Sequence, residues 1–172
     1  MSDKSKIGIE IERKYVIRMP DISILAEQEG YTSSSILQIY LPAPAGSTHR
    51  IRSRRYSSEI SYTETKKRRI DHISSEEHER EITESEFASL ATQILDGTHP
   101  VSKVRHTFLY RGALFELDVY PEWKQTAIME TELDSRDTAL EMPDFIEIVK
   151  EVTGDKSYSN RAMAQHFPAE QL

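Results

Sequence analysis

Cysteine is absent from the 172-residue chain. That removes disulfides, zinc–thiolate centres and cysteine nucleophiles together, and it fits a reducing compartment. Long apolar runs are missing too: nothing approaches the ~18 residues a membrane helix needs, and the opening MSDKSK lacks the hydrophobic segment of a secretory signal. Positive charge is in deficit, with 22 Lys and Arg against 29 Asp and Glu, a net charge of −7. This argues against a protein devoted to coating DNA or an anionic membrane. Internal repeats and low-complexity tracts are also lacking. The expectation is a soluble cytoplasmic protein, one domain over 1–172.

What the sequence does contain is alternation. Side chains two apart share a strand face, and this period predicts eight strands near 7–17, 35–41, 48–56, 60–68, 75–82, 101–110, 113–120 and 126–133. YLPAPAGST (40–48) must be a loop, because proline cannot donate to a ladder. LYRGALF (109–115) reads as a tight hairpin with Arg111 and Gly112 at its tip. Helices are fewer. Thr83 and Glu86 form a capping box ahead of the stripe Phe87, Leu90, Ala91 and Ile94, with Gly97 as the stop. PDFIEIVKEVTG (143–154) and the segment 159–167 read as two further helices. The class is α+β, built on a largely antiparallel sheet or barrel.

The same alternation sorts charge. Glu10, Glu12 and Lys14 share a face, with Ile9 and Ile11 between them. Acids recur at Glu116/Asp118, Glu130/Glu132 and Glu77/Glu79/Glu81, and bases at Arg50/Arg52/Arg54, Lys66/Arg68 and Lys103/Arg105. A charged strand taken alone is ordinarily the wet face of a half-exposed sheet. Here like charges stand side by side, which destabilises an open sheet, and the alternate faces carry Ile9, Ile11, Phe115, Leu117, Val119, Met129 and Leu133, which need a core. If the apolar faces pack outward, the charged faces line something enclosed, such as a barrel lumen. Charges removed from water need neutralising. Carboxylates without histidine or thiolate suit a hard cation such as Mg²⁺ or Mn²⁺, and guanidinium groups suit phosphate oxygens. Both halves together imply a metal-bound polyphosphate.

IEIERKYVI resembles the ExExK signature of the CYTH superfamily, the triphosphate tunnel metalloenzymes. LQIYL with HRIRSRR, then TETKK, EEHERE, VSKVRHTFLYRGALFELDVY, METEL and VTGDKSYSNRAMA follow in the order and approximate spacing of compact bacterial members. The resemblance covers nearly the whole chain. It implies an eight-stranded antiparallel closed β-barrel with helices packed outside, hydrolysing a triphosphate with Mg²⁺ or Mn²⁺. By position, Glu10, Glu12, Glu130 and Glu132 would hold metal, with Glu116 and Asp118 nearby. Lys14, Arg50, Arg52, Lys66, Lys103 and Arg105 would grip phosphate oxygens, with Arg54 on the same face. Tyr40 would sit at the tunnel mouth or wall, and Lys156 and Arg161 lie where a C-terminal element closes one end.

Three positions depart from the family pattern: Glu64 where a small hydroxyl residue is common two before the fourth-strand lysine, Ser75 where arginine is common, and Ser159 where lysine is common. These bear on substrate length rather than chemistry. The catalytic set expected is Glu12, Glu132, Lys14 and Arg52, with bases clamping the triphosphate while Glu132 or a second metal activates water. The first expectation is an inorganic triphosphatase. The alternatives are an enzyme on an organic triphosphate (thiamine triphosphatase, nucleoside triphosphatase or class IV adenylate cyclase) or a non-catalytic polyphosphate binder. The partner is a small-molecule triphosphate, with no nucleic acid and no membrane; a homodimer stays open. The six histidines show no ligand spacing. Trp123 reads as loop packing, and KKRRIDH (66–72) lacks the interleaved aromatics of a nucleic-acid patch.

Overall fold

Alternating residues become strands throughout the computed structural model, which describes residues 6–172. The strands are β1 (Lys6–Arg18), β2 (Glu29–Leu41), β3 (Ser47–Tyr56), β4 (Glu59–Arg69), β5 (Ser74–Glu81), β6 (Val101–Tyr110), β7 (Ala113–Val119), β8 (Thr126–Glu132) and β9 (Ile148–Glu151). Three short helices accompany them: α1 (Ile22–Ala26), α2 (Glu84–Ala91) and α3 (Asn160–Gln165). The order β5-β4-β3-β2-β6-β7-β8-β1 is closed by pairing of β1 with β5, giving an eight-stranded antiparallel barrel. β1 makes the closure by a stagger. Residues Lys6–Ile11 bond to β5 and Glu12–Arg18 bond to β8. Beyond the end of β5 the same edge of β1 would lie open, and β9 covers it through Tyr15–Ile17, as an exposed edge requires.

β9 replaces part of the helix expected over 143–154. The chain makes one turn, with the Ile146 N–H bonded to the Pro143 carbonyl. It packs Phe145 and Ile146 on the outer core and then extends. A helix this short is marginal alone, whereas the uncovered edge of β1 offers ladder bonds to β-branched Ile148 and Val149. The Thr83–Glu86 capping box is present. α2 stops at Ala91 rather than running to Gly97, because the chain turns so that the Leu95 N–H reaches the Tyr40 carbonyl. At the β6–β7 hairpin, Arg111 (φ 47°) and Gly112 (φ 81°) are both left-handed, as a two-residue primed turn demands.

Apolar residues pack on both sides of the barrel wall. Ile39, Leu41, Ile51 and Ile82 lie under α2. Tyr15, Ile17, Phe108, Phe115, Leu117 and Met129 lie under α1 and the 140–146 segment. A third cluster, including Val16, Tyr40, Tyr120, Trp123, Tyr158 and Met163, fills one end of the lumen beneath α3. Ile9 departs from expectation: it is 67% exposed, and Ile11 is only half-buried. No helix among the described residues is long and apolar enough to cross a membrane.

Candidate active site in the barrel lumen

Strand register decides which charges face inward. Arg50, Arg52 and Arg54 on β3 lie opposite Tyr40, Gln38 and Ile36 on β2 and opposite Thr65, Thr63 and Ser61 on β4. The next inward residue of β4 is therefore Lys67, not Lys66. Its ammonium meets the Glu10 carboxylate on β1 at 2.6 Å. Lys66 and Arg68, expected on the basic face, point outside, and Arg68 pairs there with Glu76. Two adjacent lysines gave no means of choosing, since a slip of one residue exchanges the faces of a strand. With Lys67 inward, the residue two before it is Thr65, so the hydroxyl residue is present. Its Oγ1 donates to Glu79 at 2.9 Å. Glu64 lies outside, bonded to His49 and Arg80.

The basic wall is organised around Asp118, whose residue surface is 0% exposed. Its Oδ1 accepts from Arg105 Nε at 2.7 Å, and its Oδ2 from Lys103 Nζ at 2.6 Å and Arg105 Nη2 at 2.8 Å. Both oxygens are spent on cations. Asp118, expected near the metal, is instead the counter-ion that anchors Lys103 and Arg105. Glu116 also pairs with Arg105, and Glu130 stands 3.8 Å from Arg105 while receiving Lys14 at 2.9 Å. Burial works against the Asp118 carboxylate, but Arg105 and Lys103 hold it far below the usual range. Burial and the Arg50 and Arg105 guanidiniums push Arg52 down to about 9. Lys103 has the weaker share of Asp118. Burial, with Arg105 and Arg52 close by, holds its ammonium down to about 7.

That value carries a prediction. Between about 7 and the ordinary 10.5 the unfolded chain holds the Lys103 proton and the folded one does not, so this group makes stability rise with pH across that window. A bound anion restores the ammonium, so binding takes up a proton. Sulfate, which does not titrate here, should bind more tightly as pH falls from 9 to 6.5. Calorimetry in buffers of different ionisation enthalpy should show the uptake, and Lys103→Met should remove most of it.

The acidic wall holds more carboxylates than ammonium groups: Lys67 pairs with Glu10 and stands 4.0 Å from Glu77 Oε2, and Lys14 pairs with Glu130. Glu12 lies directly opposite Glu132 across the β1–β8 ladder, and Lys14 opposite Glu130. Burial works against the Glu10 carboxylate, but Lys67 outweighs it and lowers its pKa. Burial and Glu130 raise Glu12, and burial and Glu10 raise Glu77. Glu77 Oε2 is buried without a hydrogen bond. Glu77 and Glu79 face the lumen from β5, on the alternating face read from EEHERE, and belong to the site. Among the described residues no three carboxylate or imidazole groups stand in a ready-made metal cluster. The donor chemistry nonetheless fits a hard cation: oxygen-only ligands, two of them with raised pKa, sharing one wall with surplus negative charge.

The far end is closed. Tyr40 is buried in the wall there. Lys14 Nζ reaches the Tyr158 carbonyl at 3.4 Å, and Asn160 Oδ1 accepts from Tyr120 at 2.7 Å and from Lys103 at 3.5 Å. Asn160, which motif spacing did not single out, is thus the contact between α3 and the basic wall. Ser159 caps α3 through the Ala162 N–H. Lys156 is exposed and Arg161 half-buried. Neither has a hydrogen bond or ion pair from its side chain to the lumen charges among the described residues. Two hollows of about 500 and 900 Å³ lie on the outer surface of the barrel, whereas the lumen is occupied by its own ion-paired side chains.

A closed antiparallel barrel with one basic and one acidic inner wall defines a tunnel-type fold. No family model and no curated protein matches the sequence. Solved structures do. The chain is similar to the inorganic triphosphatase NE1496 at 30% identity over 92% of this chain and 96% of that one, with a TM-score of 0.58. PH1819 from Pyrococcus horikoshii OT3 matches at 22% identity over 74% and 80%, TM-score 0.58. A conserved hypothetical protein from Pyrococcus furiosus matches at 20% over 73% and 80%, TM-score 0.54. The latter two show the shared fold. On this similarity the chain belongs to the CYTH superfamily, the triphosphate tunnel family.

Proposed function

We propose that this protein is a metal-dependent triphosphatase that hydrolyses inorganic tripolyphosphate to pyrophosphate and orthophosphate. The observation that carries the reading is the sorting of charge within one closed lumen. Arg50, Arg52, Lys103 and Arg105 face Glu10, Glu12, Glu130 and Glu132, and a polyanion together with cations would balance the charge that Asp118, Lys14 and Lys67 leave over. The similarity to a protein named as an inorganic triphosphatase supports it.

Mg²⁺ or Mn²⁺, held by Glu10, Glu12 and Glu132 beside Glu130, would supply neutralisation of phosphate charge and a more acidic bound water. The chain's own part is positioning and electrostatics. Arg50 and Arg52 present guanidinium forks to phosphate oxygens, and Lys103 adds a charge once an anion has bound. Burial opposes the Lys14 ammonium, but Glu130 and Glu12 keep it charged at any working pH, which suits a fixed counter-charge beside the reacting phosphorus. Water attacks the terminal phosphorus in line, the bridging P–O bond breaks, and its oxygen leaves with pyrophosphate. Glu12 or Glu132 takes the water proton and returns it to solvent.

Phosphate release should be measured from tripolyphosphate, pyrophosphate, ATP and thiamine triphosphate, each with Mg²⁺, Mn²⁺ or chelator. Fastest release from tripolyphosphate, abolished by chelator, is expected. Preference for ATP or thiamine triphosphate would move the assignment to an organic triphosphate. Release from none of them would overturn it.

A further inference from the structure

Gln38 stands in mid-β2 with 0% of its surface exposed. Its register partners are Arg52 on β3 and Val101 on β6, so its amide lies on the lumen face among the bases. The carbonyl Oε1 accepts from Arg52 twice, from Nε at 3.2 Å and Nη2 at 2.9 Å. A guanidinium has donors only, so this fork fixes which way the amide faces. The amide Nε2 is turned away from it, buried, and meets no acceptor. Buried donors without partners are uncommon and call for an explanation.

The side chains around it are mostly donors. Arg50, Arg52, Lys103 and Arg105 are all donors, and the Asp118 oxygens are spent on Lys103 and Arg105. A second donor on the same wall, Arg50 Nε, is likewise buried and unmet. Arg50 has the Glu77, Glu10 and Glu79 carboxylates in its field, whereas the Gln38 amide sits among donors, and an anionic oxygen from a bound group would meet its Nε2. A neutral amide also adds a donor without adding charge, where Arg50 and Arg105 already repel Arg52. Resting on the proposed function above, we propose that Gln38 is a substrate-binding residue: it donates Nε2–H to a phosphate oxygen while its carbonyl holds Arg52 in place.

The test is calorimetric binding of tripolyphosphate to the full chain in chelator, with thermal melts on the same samples and steady-state kinetics on the same proteins supplied with Mg²⁺ or Mn²⁺. Gln38→Glu keeps the acceptor for Arg52 and loses the donor; Gln38→Met loses both without adding charge. Affinity should fall about 30-fold in the first and about 10-fold in the second. KM should rise and kcat change less than threefold, and the melting temperature of Gln38→Glu should equal or exceed that of the parent. Weakening in Gln38→Met alone would reduce the residue to a support for Arg52, and weakening in Gln38→Glu alone would be a charge effect; either overturns the proposal. So would two variants within threefold of the parent. If Gln38→Met does not fold, Gln38→Ala takes its place. A parent protein that neither binds nor hydrolyses tripolyphosphate would instead sink the reading of the lumen as a triphosphate site.

Discussion

Glu12→Gln should yield a folded protein whose metal-dependent release of phosphate from tripolyphosphate falls by about 100- to 1,000-fold, the range seen when one preorganised group is lost from a charge-stabilising site. The expectation comes from what surrounds the carboxylate. Glu12 is half-buried opposite Glu132, and among the described residues no hydrogen bond or ion pair engages its side chain. Burial comes first and Glu130 second in raising its pKa, against the pull of Lys14 and Lys67. A folded pKa above the ordinary 4.5 means that the unfolded chain carries this charge more easily than the folded one. Above the folded pKa the ionised group therefore costs stability, and below 4.5 it makes no difference. At pH 7 the glutamine variant should melt at or above the parent temperature without metal, and the two should converge at acid pH. Mg²⁺ or Mn²⁺ should raise the parent melting temperature and do much less for the variant. Retained turnover would remove Glu12 from the metal site, and a drop of several degrees would show that it has a partner in the fold.

How far this site was legible in the sequence follows from strand geometry. Period two placed all eight barrel strands and put Glu10, Glu12, Lys14, Arg50, Arg52, Lys103 and Arg105 on inner faces, because alternation in a half-buried strand is enforced by the core on its other side. It failed where local pattern has no such constraint. Lys66 and Lys67 are adjacent, so only the pairing of Arg52 with Thr63 could say which one enters the lumen. β9 read as a helix because PDFIEIVKEV carries a helical stripe, and the reason for its extension, an uncovered edge of β1, is a tertiary fact. Asp118 looked like its neighbours in an acidic row. Its distinct role appears only from β6–β7 register, which sets it against Arg105. Gln38 carried no sequence signal, since an uncharged residue in a charged lumen is conspicuous only once its partners are seen.

Asp118→Ala should be the most destabilising single change in the lumen, by about 3–5 kcal/mol, the cost of stripping one partner from a buried ion pair. At roughly 2–4 °C per kcal/mol for a domain of this size, the melting temperature should fall by about 6–20 °C. Two responses limit the loss. Arg105 keeps Glu116 and Glu130 within reach, and Lys103, held near 7 even with Asp118 present, can shed its proton. Without Asp118 the Lys103 ammonium is held lower still, so the variant should regain stability relative to the parent as pH rises toward about 7, and the two should then run nearly in parallel up to about 9. Asp118 has a depressed folded pKa, so its stabilisation is fully present above the ordinary 3.8 and is lost as pH falls through the folded value. The gap between parent and variant should accordingly persist through mild acid and narrow only in strong acid. An anion in the lumen substitutes for the missing carboxylate, so tripolyphosphate should raise the variant's melting temperature by more than it raises the parent's. Asp118→Asn, which keeps the shape but has one accepting oxygen and no charge, should fall between the two. A variant melting within a degree of the parent, or one that tripolyphosphate does not help, would mean that Lys103 and Arg105 are not held by this carboxylate and that the basic wall is stable without an anion.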